Sequence, residues 1–225
     1  MIKKIITAFI FIICLGYMLM PHDPLRKYKS KRNLDASGEP DSAKASSDKP
    51  PTKKKHHPIF VVQKHDASHL HYDVRLEING VLKSWAVPKG PSSNPAIKRL
   101  AIETEDHPME YATFEGVIPE GHYGAGPVIV WDTGTFDNIK EKDGKIIPME
   151  KSYKNGQIEV NLHGKKLQGG YALIRTVAHE KKWLLIKMRD EYADARRNPI
   201  NTQQESVLSG KTIEKVEHSK KKIKK

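Results

Sequence analysis

The segment His69-Leu70-His71-Tyr72-Asp73-Val74-Arg75-Leu76-Glu77-Ile78 alternates strictly between polar and apolar residues. Because successive side chains of a strand point to opposite faces, this alternation predicts a half-buried β-strand. Asn79-Gly80 follows directly and is a preferred sequence for a two-residue type I′ hairpin turn. The apolar run from Val81 to Val87 supplies the returning strand, so the sequence predicts a β-hairpin over this whole region.

Further strand candidates recur along the chain, and Gly and Pro residues interrupt the sequence between them. They are Ile59 to Gln63, Leu100 to Glu105, Val128 to Trp131, Gln157 to His163, Gln168 to Arg175 and Lys182 to Met188. Helical signals are scarce, and we expect short helices only around Tyr192 and around Gln203. This pattern predicts a mainly β fold, a small antiparallel β-barrel with a few short flanking helices and disordered basic tails.

The length of 225 residues fits one domain with extensions at both ends. We expect an apolar segment at 1–20, a flexible basic arm at 21–57, the barrel domain at 58–190, and a short helical segment with a Lys-rich tail at 191–225. For the apolar segment, a membrane anchor, an export signal and an extension without a role in the fold all stay open, with the extension favoured. The Lys-rich tail, from Lys211 to Lys225, lacks an apolar face and is either solvated or a phosphate-binding arm.

The chain contains 39 Lys and Arg residues against 27 Asp and Glu residues, a formal net charge of +12. This excess favours a polyanionic partner, either nucleic acid or an anionic membrane surface. The one cysteine, Cys14, has no partner for an intrachain disulfide, which favours a reducing compartment and a cytoplasmic location. It also excludes zinc sites built from several cysteines, so a metal site in this chain would use His and carboxylate ligands.

The polar face of the first hairpin strand carries imidazole, carboxylate and guanidinium groups. Such a face often only meets solvent, but His71 and Asp73, two residues apart, place a nitrogen and an oxygen ligand side by side. A turn could bring His65 back over the strand as a third ligand, leaving an open coordination position. Candidates for phosphate contact and proton transfer follow downstream, each with a structural alternative: Lys89, Lys98, Arg99, Glu105, His107 and Tyr111. We assign the glycines of the 115–126 loop to tight turns rather than to phosphate binding.

The run Phe60-Val61-Val62-Gln63-Lys64-His65-Asp66-Ala67-Ser68-His69-Leu70-His71-Tyr72-Asp73-Val74-Arg75-Leu76-Glu77 closely resembles the 3′-phosphoesterase domain of bacterial and archaeal DNA ligase D. The resemblance continues through Lys83 to Pro91, Glu105-Asp106-His107-Pro108, Tyr111, and Phe114 to Trp131. In outline it extends from Leu25 to about Lys187. This length makes it far more specific than any one motif.

In that family the domain is a β-barrel that uses manganese, removes a terminal ribonucleoside and then removes the remaining 3′-phosphate. The resemblance implies that His65, His71 and Asp73 bind the metal, with cobalt or zinc as alternatives to manganese. It further implies phosphate contacts and support for the reaction from Arg75, Lys89, Arg99, Glu105, His107 and Tyr111. His107 is the candidate general acid of the phosphatase step.

The resemblance also implies that Arg32 and Glu39, in the arm, support activity. Asn33 stands where the family usually shows Asp, which leaves the arm's part in the phosphodiesterase step open.

The expected substrates are 3′ ends of DNA or RNA in repair by end joining, and the expected product is a 3′-hydroxyl. Expected partners are a separate ATP-dependent ligase, a polymerase and a Ku-type end-binding protein. Two alternatives come from other classes: a non-catalytic nucleic-acid-binding accessory module, and a membrane-tethered phosphoesterase acting on another phosphate ester. The presence of all three metal-ligand candidates favours an enzyme over the accessory module.

Overall fold

Antiparallel strands are the main regular elements of the structure, a computed structural model that describes residues 23–41 and 56–223. The strands are β1 (Ile59–Asp66), β2 (Leu70–Ile78), β3 (Val81–Val87), β4 (Lys98–Glu103), β5 (Gly116–Ile118), β6 (Gly126–Asn138), β7 (Glu141–Lys142), β8 (Lys145–Ile146), β9 (Gln157–Gly164), β10 (Gln168–Arg175) and β11 (Lys182–Lys187). Eight of them pair in the order β1-β2-β3-β4-β11-β10-β9-β6, and β6 pairs again with β1. The sheet therefore closes on itself, which confirms the predicted antiparallel barrel.

The remaining strands lie outside this ring. β5 pairs only with β6, and β7 and β8 form a separate two-stranded hairpin. The Asp143-Gly144 turn of that hairpin has positive φ values of 53° and 72°, as a type I′ turn requires. An Asp-Gly pair, like Asn79-Gly80, favours such a turn. This hairpin was not predicted, because strands of only two residues are too short to show an alternating pattern.

Short helices flank the barrel: α1 (Arg26–Ser30), α2 (Leu34–Ser37), a 3₁₀ helix (Met109–Thr113), α3 (Met149–Lys154), α4 (Pro199–Thr202) and α5 (Ile213–Ile223). The expected helix around Tyr192 is wrong, because turns occupy that segment. The helix expected around Gln203 is α4, which ends at Thr202. The C-terminal segment was expected to lack an apolar face, and this is also wrong, since Ile213 and Val216 of α5 pack against Ile129.

The apolar segment at 1–20 and the Lys-rich end at 224–225 lie outside the described residues. Among the described helices, none has the length and apolar character needed to cross a bilayer.

Asn79 and Gly80 form the predicted turn between β2 and β3, with φ values of 54° and 76°. Both strands start within one residue of their predicted bounds. Register pairs Ile78 with Val81 and continues to Tyr72 and Val87.

Gly80→Ala is expected to lower the free energy of unfolding by about 1 to 2 kcal/mol, because an L-residue with a side chain is strained in the left-handed region. An added Cβ would meet nothing within 4 Å, so the loss would report backbone strain rather than a clash. Urea denaturation measures it. Asn79→Gly, which keeps the left-handed conformation accessible, is the control, and a neutral Gly80→Ala would contradict the assignment of the turn.

The barrel interior holds the main apolar core. Trp85, Trp131 and Trp183 are each 0% exposed there and pack with inward-facing residues such as Phe60 and Val74. The alternation of β2 is confirmed, since Tyr72, Val74, Leu76 and Ile78 all belong to this core. Leu70 is the exception, because it begins the strand at the rim of the barrel and is 46% exposed.

A second apolar layer covers the outside of the barrel over β1, β2 and β3. Tyr28 of α1 and Tyr111 of the 3₁₀ helix are buried there against the outward-facing Val61 and Leu82. Residues 21–57 were expected to form a flexible arm, and this is wrong for 26–37, which are helical and docked. The polar face of β2 therefore lies between the barrel wall and a covering layer rather than in open solvent.

Candidate active site

The three predicted metal ligands converge on the outer face of the barrel. β1 and β2 are antiparallel, and their register sets His65 directly opposite His71 and Gln63 directly opposite Asp73. Residues 67–69 turn the chain back between β1 and β2, as expected, and the strand pairing then places His65 beside His71 on the neighbouring strand. Single ligand atoms from His65, His71 and Asp73 all lie within 4.8 Å of one another.

Backbone carbonyls orient both imidazole rings. Nε2 of His65 lies 2.8 Å from the Gly124 carbonyl oxygen, and Nδ1 of His71 lies 2.8 Å from the His69 carbonyl oxygen. A carbonyl only accepts hydrogen bonds, so each of these nitrogens carries the proton. The other two nitrogens, Nδ1 of His65 and Nε2 of His71, are left with lone pairs, and each lies 3.7 Å from a carboxylate oxygen of Asp73.

This donor set fits a divalent metal ion. Two imidazole nitrogens and a carboxylate oxygen suit several first-row divalent ions, and three protein ligands leave a coordination position for water or substrate. Ligand atoms about 2.1 Å from one ion are at most about 4.2 Å apart. The two 3.7 Å distances to Asp73 satisfy this limit, and because the whole set lies within 4.8 Å, the widest pair would draw closer around an ion. Carbonyl acceptors behind ligating imidazoles are the usual outer partners of such sites.

Arg75 connects the candidate metal ligands to the neighbouring strands through hydrogen bonds. Its guanidinium donates to Asp73 Oδ2 at 3.0 Å, to Gln63 Oε1 at 2.8 Å and to Ser84 Oγ at 2.8 Å. Burial would raise the pKa of Asp73, but the charge of Arg75 and the adjacent imidazoles outweigh it and hold that pKa below its ordinary value. Asp73 is therefore ionised at neutral pH, as a metal ligand must be.

His107 is held in a buried, neutral state by its hydrogen bonds. Its Nδ1 lies 2.9 Å from the Glu105 carbonyl oxygen, which can only accept. Its Nε2 lies 3.3 Å from a guanidinium nitrogen of Arg32, which can only donate. Nδ1 therefore carries the proton and Nε2 is an acceptor. The main chain of His107 is fixed to Leu82 by a pair of hydrogen bonds at 2.9 and 3.0 Å.

The environment of His107 should keep its ring neutral in the metal-free protein and should make the stability of the fold depend on pH. Burial, followed by the charges of Arg75 and Arg32, holds the pKa of His107 well below its ordinary value, against the opposing effects of Asp73 and the Glu105 carbonyl. Because the folded pKa lies below the unfolded value of about 6.5, the native state loses stability as pH falls below that value.

We expect the His107 ring resonance in NMR spectra to stay constant from pH 7.5 to 6. The fall in stability between pH 6.5 and 5 should also be smaller in His107→Gln. A His107 that titrates near pH 6.5 would contradict this assignment.

The arm closes the site through buried ion pairs. Arg32 binds Glu39 Oε1 at 2.9 Å and Glu105 Oε1 at 2.7 Å, while Lys31 binds Glu105 Oε2 at 2.9 Å. Tyr111 donates from its hydroxyl to the same Glu39 oxygen at 3.1 Å. Burial alone would raise the pKa of Glu105, but the bonds from Lys31 and Arg32 hold it below its ordinary value.

Asn33 caps helix α2, since its side-chain oxygen accepts from the backbone N–H of Ala36. Asn and Asp are about equally good N-caps, so this role survives the departure from the family pattern. The cap helps to set the turn that places Arg32 and Glu39 side by side.

Most of the residues proposed for the site meet around one cavity of about 270 Å³. Its lining includes Arg32, His65, His71, Asp73, Arg75, Glu105, His107 and Tyr111. Glu39 lies behind this lining and contacts Arg32 and Tyr111.

Two of the proposed phosphate contacts are not part of the lining. Lys89 is exposed in the turn after β3. Arg99 lies on β4, and its buried Nε has no hydrogen-bond partner among the described residues. Their roles stay predictions.

Several contacts of the site were missed in the sequence. Gln63 lies two residues before His65 on the same face of β1, so the strand period could have identified it. Ser84 is its equivalent on β3, bonded to Arg75. Tyr123 and the Gly124 carbonyl belong to the glycine-rich loop, and no periodic signal points to them.

Comparison with known proteins gives the family. Residues 63–175, half of the 225-residue chain, match the family described as the DNA Ligase D 3′-phosphoesterase domain. The chain is 45% identical over 194 residues to the multifunctional non-homologous end joining protein LigD of Pseudomonas aeruginosa, covering 84% of this chain and 22% of that protein. It is 46% identical over 169 residues to the multifunctional non-homologous end joining DNA repair protein LigD of Mycobacterium tuberculosis, covering 75% of this chain and 20% of that protein.

The chain thus spans about a fifth of the length of these relatives. The matched region contains the three metal-ligand candidates together with Arg75, Glu105, His107 and Tyr111. The chain therefore belongs to the DNA ligase D 3′-phosphoesterase domain family.

Proposed function

We propose that this protein is a divalent-metal-dependent phosphoesterase that repairs 3′ ends of nucleic acid. It removes a terminal ribonucleoside and then the remaining 3′-phosphate, and leaves a 3′-hydroxyl. The observation that carries the proposal is the convergence of three ligand atoms, His65 Nδ1, His71 Nε2 and an Asp73 oxygen, in a cavity that also exposes cationic groups. Manganese is the favoured ion, with cobalt or zinc as alternatives.

A divalent ion held by these three residues would polarise a phosphate oxygen and make a bound water more acidic. Arg75 lies next to the ligands and uses three of its five N–H donors in bonds to described residues. Its remaining donors and those of Arg32 neutralise charge on the non-bridging phosphate oxygens. Because Arg75 is anchored on three sides, it is oriented before the substrate arrives.

His107 donates a proton to the leaving oxygen in the phosphatase step. In the free protein its Nε2 accepts from Arg32, so this nitrogen must gain a proton before it can act as an acid. A phosphate dianion in the cavity favours that change in two ways. It places negative charge beside the imidazole, and it draws the Arg32 guanidinium towards itself. We therefore assign the protonated state of His107 to the substrate-bound protein.

We also propose a role for this protein in repair by end joining. The relatives are named as multifunctional end-joining proteins, and this chain corresponds to about a fifth of their length. We infer that an ATP-dependent ligase, a polymerase and a Ku-type end-binding protein act together with this domain in end joining. The formal charge of +12 supports a nucleic-acid partner through phosphate neutralisation.

The test uses the purified full chain and two primer–templates, one ending in a 3′-phosphate and one in a single ribonucleotide. Each is incubated with EDTA, manganese, cobalt, zinc or magnesium, and the products are separated by electrophoresis. We expect conversion to a 3′-hydroxyl end with at least one transition metal and none with EDTA. Tight binding of both substrates without conversion under any metal would instead identify a nucleic-acid-binding accessory module.

A further inference from the structure

Tyr123 places an aromatic ring at the mouth of the site. It lines the same cavity as the metal ligands, yet 49% of its surface is exposed. The next residue, Gly124, supplies the carbonyl that orients His65. Tyr123 is therefore directly adjacent in the chain to the residue whose carbonyl contacts His65, a candidate metal ligand.

Two cations of the arm hold the ring in place. Lys31 Nζ donates to the Tyr123 hydroxyl at 3.2 Å and lies 4.5 Å from the ring centre. The Arg32 guanidinium lies 5.1 Å from the same ring centre. A ring held at its hydroxyl and beside two cations is a fixed surface rather than a freely rotating side chain.

The size of the cavity implies that most of a polymeric substrate lies outside it. At about 270 Å³ it is smaller than the roughly 300 to 1,000 Å³ of pockets that enclose a whole drug-sized ligand. With the phosphate against the buried His65 and Asp73, the attached base would lie towards the mouth, where Tyr123 is exposed. An exposed aromatic ring beside cations is the typical surface for a nucleic-acid base.

We propose that Tyr123 forms a nucleobase subsite, on which the base of the nucleotide carrying the 3′-phosphate stacks. This inference rests on the proposed function. It adds that the 3′ end of the nucleic acid is aligned by contact between its last base and the Tyr123 ring. Stacking tolerates any base, because every base has a π-face, so the subsite distinguishes a nucleotide end from a simple phosphate ester. Tyr123 acts here as a binding residue, outside the reacting atoms.

The first experiment compares a base-bearing end with an abasic end. Phosphate release is measured from an oligonucleotide ending in thymidine 3′-phosphate and from the same oligonucleotide with an abasic 3′-phosphate residue. The wild type should prefer the base-bearing end in kcat/KM. In Tyr123→Ala that preference should fall about tenfold or more, chiefly through KM. Tyr123→Phe, which keeps the ring but loses the Lys31 bond, should retain the preference.

Tyr192→Ala is the matched control, since Tyr192 is 44% exposed but lines a different cavity. If Tyr123→Phe loses the preference as fully as Tyr123→Ala, the ring serves only to anchor Lys31 and the subsite is rejected. An unchanged preference in Tyr123→Ala rejects it as well. Thermal melting by circular dichroism establishes that each variant is folded.

A second readout needs no turnover. The three native tryptophans are fully buried, so Tyr123→Trp adds an indole at a site that is exposed. In EDTA, titration with the base-bearing oligonucleotide should quench the added fluorescence, and the abasic oligonucleotide should not. Equal quenching by both would overturn the subsite. Because this assay is independent of catalysis, it separates failure of the subsite from failure of the phosphoesterase function.

Discussion

Asp73→Asn is expected to lower metal-dependent phosphate release by more than about 100-fold. Loss of an outer partner of a metal ligand alone costs about 10- to 100-fold, and Asp73 is the only carboxylate among the three proposed ligands. An amide is a weaker, uncharged ligand, so the affinity for the ion should fall together with turnover. Isothermal titration calorimetry with manganese, alongside the phosphate-release assay, measures both effects.

The same residue also stabilises the fold, so Asp73→Ala is a distinct test. Removing the side chain leaves the guanidinium of Arg75, which is only 3% exposed, without its charged partner. Breaking a buried pair in this way typically costs about 3 to 5 kcal/mol. We expect Asp73→Ala to be clearly less stable than Asp73→Asn, whose remaining oxygen can still accept from Arg75.

Asp66→Asn is the matched control for both variants. Asp66 ends the neighbouring strand β1, and its side chain is exposed. It should keep wild-type metal affinity, turnover and stability. If Asp73→Asn behaves like Asp66→Asn in the metal titration, Asp73 is not a ligand and the proposed mechanism fails.

Arg32→Met is expected to release the arm from the barrel. Glu105 would keep its bond to Lys31, but the fully buried Glu39 would keep only the Tyr111 hydroxyl among the contacts of the described residues. A buried carboxylate left without its cation costs about 3 to 5 kcal/mol, more than a short docked segment can sustain. We therefore expect amide exchange over residues 26–37 to accelerate about 100-fold or more.

Two companion variants make this result interpretable. Lys29→Met removes a charge of the same arm, from helix α1, whose ion pair among the described residues is with Asp23 at the surface, so the arm should stay docked. Adding Glu39→Gln to Arg32→Met removes the negative charge of Glu39, which the first substitution leaves buried without a cation. The double variant should therefore regain most of the protection from amide exchange. If turnover stays low in that double variant, Arg32 contacts the substrate in addition to holding the arm. Unchanged exchange in Arg32→Met alone would contradict the docking role.

The barrel is well predicted from local sequence patterns, because the residues that alternate along each strand are the ones that face inward in the observed strand pairing. The alternation of β2 and the Asn79-Gly80 turn set which residues face inward, and the closed sheet follows from repeating such strands. The convergence of the candidate metal ligands is predictable for the same reason. His71 and Asp73 lie on one face by strand period, and family resemblance adds His65.

The outer layer could not be predicted in this way. Tyr28 lies in a polar, Lys-rich stretch, and its burial depends on Tyr111 and Leu82, which are far away in the chain. The short amphipathic pattern of Ile213 and Val216 was likewise too weak beside the lysines that follow. Tyr123 was missed because its position depends on loop geometry and on contacts with the arm. Long-range packing, rather than local propensity, determines all three.

The carbonyl groups behind His65 and His71 bear on how this site tolerates evolutionary change. Every residue has a main-chain oxygen, so a substitution at His69 should leave the acceptor that orients the His71 ring in place. The vulnerable point is Gly124, whose φ of 74° disfavours other residues and whose displacement would move the acceptor of His65. The orientation of the His65 ring therefore depends on the identity of residue 124, whereas that of the His71 ring does not depend on the identity of residue 69.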